Sequence, residues 1–188
     1  MQLPTMLDVE ASGFGRGSYP IEIGFVEASG SLFCSLVRPA PDWQHWDPSA
    51  ESLHGLSREL LQRHGRPVDW VAQELNRRLA GQTVYCDGWA HDYPWLARLF
   101  EEAERSPAFR LEDVRTLLSE PEQACWDRHL QALRQELRPE RHRASSDARL
   151  LQLCVQRVRS AGLPGALALD QGKPAGLDDP LGARPRQD

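Results

Sequence analysis

The sequence lacks the features that mark three common classes of protein. It contains no uninterrupted apolar run of membrane length, and its N-terminus has no basic region followed by an apolar stretch. We therefore expect neither a membrane span nor a secretory signal. The four cysteines are widely spaced and form no CxxC pair, which favours free thiols in a reducing cytoplasm over disulfides or a zinc site. Together these absences predict a cytoplasmic protein that does not contact membranes.

An excess of positive charge is also absent. The formal net charge is −5, whereas proteins that bind nucleic acid through a broad basic surface usually carry an excess of Lys and Arg. The arginines are nevertheless unevenly distributed. A cluster of them follows position 127, namely Arg128, Arg134, Arg138, Arg141, Arg143, Arg149, Arg157 and Arg159. Two interpretations of this cluster stay open, a solvated helix face and a rim that faces phosphate groups.

The pattern of apolar residues predicts strands first and mainly helices later. Extended segments are predicted at residues 3–9, 19–26, 31–37 and 83–86. Spacing of 3.6 residues predicts helices at residues 68–79, 93–103, 121–137 and 144–159. The segment 39–52, rich in proline and tryptophan, is predicted to be a loop. This order, with strands first and helices later around a sheet with a further central strand, predicts a mixed α/β fold.

The length of 188 residues suits one domain with a proper core. Beyond position 160 the composition changes to Gly, Pro, Asp and Arg, with few residues to bury. We expect a folded domain over residues 1–160 and a disordered tail over residues 161–188.

Asp8 and Glu10 form a D-x-E pair at the end of the first predicted strand. Side chains two residues apart share one face of a strand. Two carboxylates on the same face repel each other unless something neutralises them. A lone D-x-E usually represents two exposed acids, but here the glycine-containing segment 11–14 follows it, and such a loop lets backbone approach a ligand.

Three further residues could bind a metal ion or take part in catalysis. Asp92 stands at the start of a predicted helix, where it can cap the helix, ligate a metal, or do both. Asp147 shares a helical face with apolar residues, so its carboxylate needs a cation, a metal or a proton. His142 lies five residues earlier, from where its imidazole could reach the same metal.

In combination these residues resemble the DnaQ-like 3′–5′ exonucleases, in the DEDDh branch of the ribonuclease H-like superfamily. That family carries D-x-E on its first strand, an aspartate at a helix start and H-x(4)-D near its end. The matching residues are Asp8, Glu10, Asp92, His142 and Asp147. The resemblance covers roughly residues 5–160 and includes segment 50–57, Ala-Glu-Ser-Leu-His-Gly-Leu-Ser, which is similar to the family's A-x-x-x-H-G-I-T. It implies an α/β fold of the ribonuclease H-like type, with a mixed central sheet of about five strands flanked by helices.

The resemblance also implies a set of residues that contact the substrate. They are Ala11, Ser12, Gly13, Phe14, His54 and Asp87. Asp87 stands where family members often carry Asn, and Ala-Ser-Gly-Phe at positions 11–14 replaces their usual Thr-Thr-Gly-Leu. Trp43 and Trp46 have two open interpretations, packing within the fold and stacking on the terminal nucleotide.

The reaction implied by the resemblance is two-metal hydrolysis of DNA or RNA from its 3′ end, with release of nucleoside 5′-monophosphates. Asp8, Glu10, Asp92 and Asp147 would hold two Mg²⁺ or Mn²⁺ ions, because hard oxygen ligands suit these cations. His142 would take the proton from the attacking water.

The implied partner is a single-stranded 3′ end. Many relatives form dimers, so a homodimer is one expected assembly. Two other functions stay open: a catalytically silent module of the same fold that binds nucleic acid or a protein, and a proofreading subunit of a polymerase. The complete set of four carboxylates and a histidine favours an enzyme over a silent module.

Overall fold

The computed structural model describes residues 3–138 and 142–161. These residues form a five-stranded sheet in the order β3-β2-β1-β4-β5. The strands are β1 (Met6–Ala11), β2 (Pro20–Val26), β3 (Leu32–Leu36), β4 (Thr83–Cys86) and β5 (Arg110–Asp113). Strands β1, β2 and β3 pair antiparallel, whereas β4 runs parallel to both β1 and β5. The prediction of a mixed sheet of about five strands is confirmed.

Helices flank the sheet. Those within the described ranges are α1 (Pro48–His54), α2 (Arg58–His64), α3 (Val68–Leu79), α4 (Trp89–Glu102), α5 (Glu120–Leu137) and α6 (Ala144–Ala161). A short 3₁₀ helix, Val114–Leu117, links β5 to α5.

The core consists of two apolar clusters. One contains Leu7 and Val9 of β1 together with buried residues of α3 and α4. The other contains Met6 of β1 with buried residues of α5 and α6. Because neighbouring residues of a strand point to opposite faces, Asp8 and Glu10 share the face of Met6, which α5 and α6 cover.

Two of the predicted elements, helix Val68–Leu79 and strand Thr83–Cys86, are confirmed at both ends. The first strand lies further along the chain than predicted, at Met6–Ala11, and α4 begins four residues before the predicted position 93. The loop prediction for residues 39–52 is wrong at its end, because α1 begins at Pro48. The sequence patterns also missed α2 and β5, which are too short to show a clear period.

Local capping explains why the short helices α1 and α2 form. The Asp47 side chain accepts a hydrogen bond from the Ser49 backbone at 2.8 Å and begins α1. Gly55 ends that helix with φ of 68°, a conformation that glycine adopts without strain. The Ser57 hydroxyl then accepts from the Leu60 backbone at 3.2 Å and begins α2.

The predicted tail, residues 161–188, lies outside the described residues except for Ala161. Among the helices described, none has the length and apolar character needed to cross a membrane.

The start of α6 packs directly against the backbone of β2. A Cβ placed on Gly24 would overlap the backbone of Ala144 and Ser145, approaching Ser145 Cα to 2.6 Å. Only a residue without a side chain allows this approach, so Gly24 sets how closely α6 lies on the sheet.

We expect Gly24→Ala to lower the free energy of unfolding by about 1–3 kcal/mol, because the added methyl group overpacks the β2–α6 contact. Urea denaturation measures this change. Gly81→Asn is the control, since a Cβ there meets no atom within 4 Å and asparagine tolerates its positive φ. Equal stability of Gly24→Ala and the wild-type protein would contradict the packing account.

Candidate functional site

A cavity of about 280 Å³ opens beside β1. Its walls come from β1, the loop after it, α1, α4, α5 and α6. The cavity brings together the five residues of the predicted catalytic set, Asp8, Glu10, Asp92, His142 and Asp147. Most of the predicted substrate contacts also line it, namely Ala11, Gly13, Phe14, His54 and Asp87.

The two carboxylates of β1 are partly buried. In the sheet, Asp8 pairs in register with Gly24 of β2, and Glu10 pairs with Glu22. Burial, and then the charges of Asp92, Glu10 and Asp147, raise the pKa of Asp8 well above its ordinary value. Burial and the charge of Asp147 raise the pKa of Glu10 to about 7. Both carboxylates therefore favour protons or cations nearby.

Asp92 is the fourth residue of α4 and only 4% exposed. The interpretation of Asp92 as an N-cap is wrong, because Gly88 occupies that position and no side chain caps the helix. Within the described part of the chain, the buried Oδ2 atom of Asp92 has no hydrogen-bond partner. Burial raises the pKa of Asp92 to about 7. An unpartnered buried carboxylate oxygen fits a cation ligand.

Asp147 and His142 enter the cavity from the start of α6. Asp147 Oδ2 accepts a hydrogen bond from the Arg143 backbone at 3.2 Å and lies 3.6 Å from His142 Nδ1. Burial raises the pKa of Asp147, and the neighbouring His142 opposes that shift. Glu10, His142 and Asp147 each offer a ligand atom, and these atoms lie within 4.8 Å of one another. This group can hold a metal ion.

His54 contributes a polar nitrogen to the cavity wall. Its ring is 2% exposed, and Nδ1 accepts a hydrogen bond from the Leu56 backbone at 3.0 Å. Nε2 is buried without a hydrogen-bond partner among the described residues. Burial lowers the pKa of His54, which favours the neutral ring. Since Nδ1 accepts, the proton of the neutral ring belongs on Nε2, which can donate to a ligand.

Aromatic rings form the outer wall of the cavity. Phe14 is 63% exposed, and its ring lies 5.1 Å from that of His91 and 5.7 Å from that of Trp95. The Trp95 indole donates to Ser18 Oγ at 2.8 Å, which ties α4 to the loop that carries Phe14. Sequence reasoning missed His91, although its place immediately before Asp92 could have indicated it.

The loops are stabilised by the remaining residues that the sequence offered as substrate contacts, namely Ser12, Trp43 and Trp46. Ser12 does not line the cavity: it is 1% exposed, its Oγ lies 3.0 Å from His45 Nδ1, and it accepts from the Tyr19 backbone at 3.1 Å. Trp43 is buried and stacks on Tyr19 at 5.0 Å, as the packing interpretation predicted. The Trp46 indole donates to Glu51 at 2.7 Å.

The arginine cluster does not act as one surface. Arg143 pairs with Glu22, and Arg157 pairs with Glu136. Arg134 is the arginine of the cluster that lines the cavity, as far as the described residues extend, and Arg141 lies outside them. Burial raises the pKa of Asp87 in the same cavity, and the charge of Arg134 opposes this shift.

The raised pKa of Glu10 predicts how stability depends on pH. Between about pH 5 and pH 7 the folded, metal-free protein holds a proton on Glu10 that the unfolded chain has released, so stability falls as pH rises. We expect Glu10→Gln in EDTA to exceed the wild-type protein by about 1–3 kcal/mol at pH 8, and to match it near pH 4.5. Urea denaturation at both pH values measures this difference.

Glu101→Gln on the exposed side of α4 serves as the control, because it removes a carboxylate that does not line the cavity. A Glu10→Gln protein that is no more stable than wild type at pH 8 would show that the carboxylate cluster is not under electrostatic strain.

No family model and no curated protein matches this sequence. Solved structures resemble it in fold. A moderately thermophilic exonuclease I from Methylocaldum szegediense aligns with a TM-score of 0.65 and 15% identity, over 88% of this chain and 42% of that chain. Escherichia coli exonuclease I in complex with a 5cy-dA13 oligonucleotide aligns with a TM-score of 0.63 and 12% identity, over 85% of this chain and 41% of that chain. A product-bound exonuclease I gives 0.64 and 15%, over 85% and 44%. The chain thus spans less than half the length of these proteins, and the likeness shows a shared ribonuclease H-like fold.

Proposed function

We propose that this chain is a metal-dependent 3′–5′ exonuclease of the DnaQ-like DEDDh type. It would hydrolyse phosphodiester bonds from the 3′ end of single-stranded DNA or RNA and release nucleoside 5′-monophosphates. One observation carries the proposal: four carboxylates and a histidine from three separate parts of the chain line a single cavity. The fold shared with exonuclease I, including a structure in complex with an oligonucleotide, supports it.

The residues of the cavity fit divalent cations. Asp8, Glu10, Asp92 and Asp147 supply oxygen ligands, which suit Mg²⁺ or Mn²⁺. The unpartnered oxygen of Asp92 and the raised pKa values of Asp8 and Glu10 are the properties expected of ligands without their cations. Two bound ions would neutralise charge at the phosphate and make water more acidic.

The side chains around these ligands have separate tasks in the proposed reaction. His142 presents Nδ1 to Asp147, which leaves Nε2 to accept the proton of the attacking water. His54 Nε2 can donate to an oxygen of the terminal nucleotide. Phe14, exposed at the mouth, offers a ring on which a base can stack whatever its identity.

Digestion of 5′-labelled single-stranded DNA and RNA oligonucleotides tests this function. In Mg²⁺ or Mn²⁺ we expect a ladder that shortens from the 3′ end, and in EDTA no cleavage, because the ligand set requires a cation. Asp8→Ala should abolish cleavage. His142→Ala should lower kcat by about 10²–10⁴-fold, the usual contribution of a general base.

His64→Ala is the matched control, because this exposed histidine ends α2 and does not line the cavity. Its kcat should equal that of the wild-type protein. Oligonucleotides that stay intact in every metal would contradict the proposed function and favour a binding module of the same fold.

Arg134 is expected to bind a backbone phosphate of the substrate, since it is exposed and lines a cavity that is otherwise rich in carboxylates. Arg134→Gln should raise KM by about 5–20-fold and reduce the salt dependence of binding by roughly one counterion, with little change in kcat. Steady-state kinetics at several salt concentrations measures both effects.

Arg128→Gln provides the comparison, because Arg128 is exposed on the same helix α5 and does not line the cavity. If both substitutions change KM and the salt dependence equally, the phosphate contact is a general property of α5 and not of Arg134.

A further inference from the structure

Glu22 is a buried carboxylate that the proposed reaction does not use. It lies on β2, in register with Glu10, and its side chain is fully buried. Both of its oxygens accept from Arg143 Nε, at 3.0 and 3.1 Å, and Oε1 also accepts from Arg143 Nη2 at 2.6 Å. The Ala144 backbone donates to Oε2 at 2.9 Å. A buried carboxylate is stable when paired, and the planar guanidinium group meets both oxygens.

A second contact on β2 secures the same point of α6. Gly24, two residues beyond Glu22, lets the backbone of Ala144 and Ser145 lie directly against the strand. The ion pair and this close approach together fix the first turn of α6 on the sheet.

This point of attachment lies between His142 and Asp147, the two residues of the segment that act in the proposed reaction. The Arg143 backbone donates to Asp147 Oδ2 at 3.2 Å, and the Asp147 backbone donates to the Arg143 carbonyl at 3.0 Å. The His142 side chain is 55% exposed, and its contact with Asp147 is 3.6 Å long. The position of the His142 side chain at the cavity therefore depends on the backbone of the neighbouring Arg143.

We propose that Glu22 and Arg143 are positioning residues, whose ion pair holds His142 and Asp147 over Glu10 of β1. This inference rests on the proposed function, in which His142 is the general base. Arg143 is 46% exposed on its side chain, so direct contact with substrate phosphate is the competing role. The two roles differ in kinetics, because positioning of a base affects kcat and phosphate binding affects KM.

Steady-state kinetics of Arg143→Ala with chemical rescue tests the proposal. We expect kcat to fall by about 10²-fold, as misplacement of a base by roughly 1 Å does, while KM stays within about twofold. The partial exposure of Arg143 leaves access to Glu22. Guanidinium ion at non-denaturing concentration should therefore bind the carboxylate and restore kcat by about tenfold.

Two variants serve as controls. Glu22→Gln/Arg143→Ala lacks the carboxylate that would bind guanidinium, so its kcat should not recover. Arg157→Ala removes an arginine of α6 whose ion-pair partner, Glu136, lies outside the cavity. That variant should keep the wild-type kcat with and without guanidinium.

Hydrogen exchange gives a readout that does not depend on activity. Residues 142–150 should exchange faster in Arg143→Ala than in the wild-type protein, whereas the amides of β1 and β2 should keep their protection. Added guanidinium should slow this exchange again.

A raised KM with unchanged kcat, or unchanged exchange at the start of α6, would overturn the positioning role. If the wild-type enzyme is active and Arg143→Ala keeps its kcat, the inference fails and the proposed function stands. If the wild-type protein cleaves nothing in any metal, the proposed function fails, and this inference fails with it.

Discussion

The burial of several carboxylates in one cavity is the constraint on which the rest of the site depends. Asp8, Glu10, Asp92 and Asp147 line one cavity, and burial is the first cause of the raised pKa of each. Such a set is stable only when protons or cations neutralise part of its charge. The free energy that holds these groups together must come from elsewhere in the fold, namely from the two apolar clusters on opposite faces of the sheet. The site therefore favours positive charge, which divalent cations would supply in the proposed function.

Three different elements hold the four carboxylates. Strand β1 lies in the middle of the sheet and carries Asp8 and Glu10, which pair in register with Gly24 and Glu22 of β2. Helix α4 brings in Asp92 and is tied to the loop after β1 by the Trp95 indole. Helix α6 brings in Asp147, and the ion pair of Arg143 with the buried Glu22 fixes the start of this helix on β2. A rigid support of this kind is what a reaction that depends on positioning requires.

The sequence allowed the elements with a clear period to be predicted, together with the five residues of the catalytic set that line the cavity. Helix Val68–Leu79 shows a strong apolar stripe, and strand Thr83–Cys86 is bounded by turn residues, so both were found at both ends. Helices α1 and α2 have only seven residues each and depend on local caps, which a periodicity argument does not detect. The pairing of Glu22 with Arg143 joins residues 121 positions apart and has no local signal. For the same reason the sequence left two interpretations of the arginine cluster open, whereas among its described members Arg143 and Arg157 form ion pairs and Arg134 lines the cavity.

The stoichiometry of divalent cation binding tests the central claim most directly. Calorimetric titration of the metal-free protein with Mn²⁺, in the presence of a nucleoside 5′-monophosphate, counts the ions that the carboxylates of the cavity hold. The account predicts two ions per chain, tighter binding at pH 8 than at pH 6 because the carboxylates must lose their protons, and impaired binding in Asp8→Ala. Absence of specific Mn²⁺ binding, or equal binding by wild type and Asp8→Ala, would contradict it.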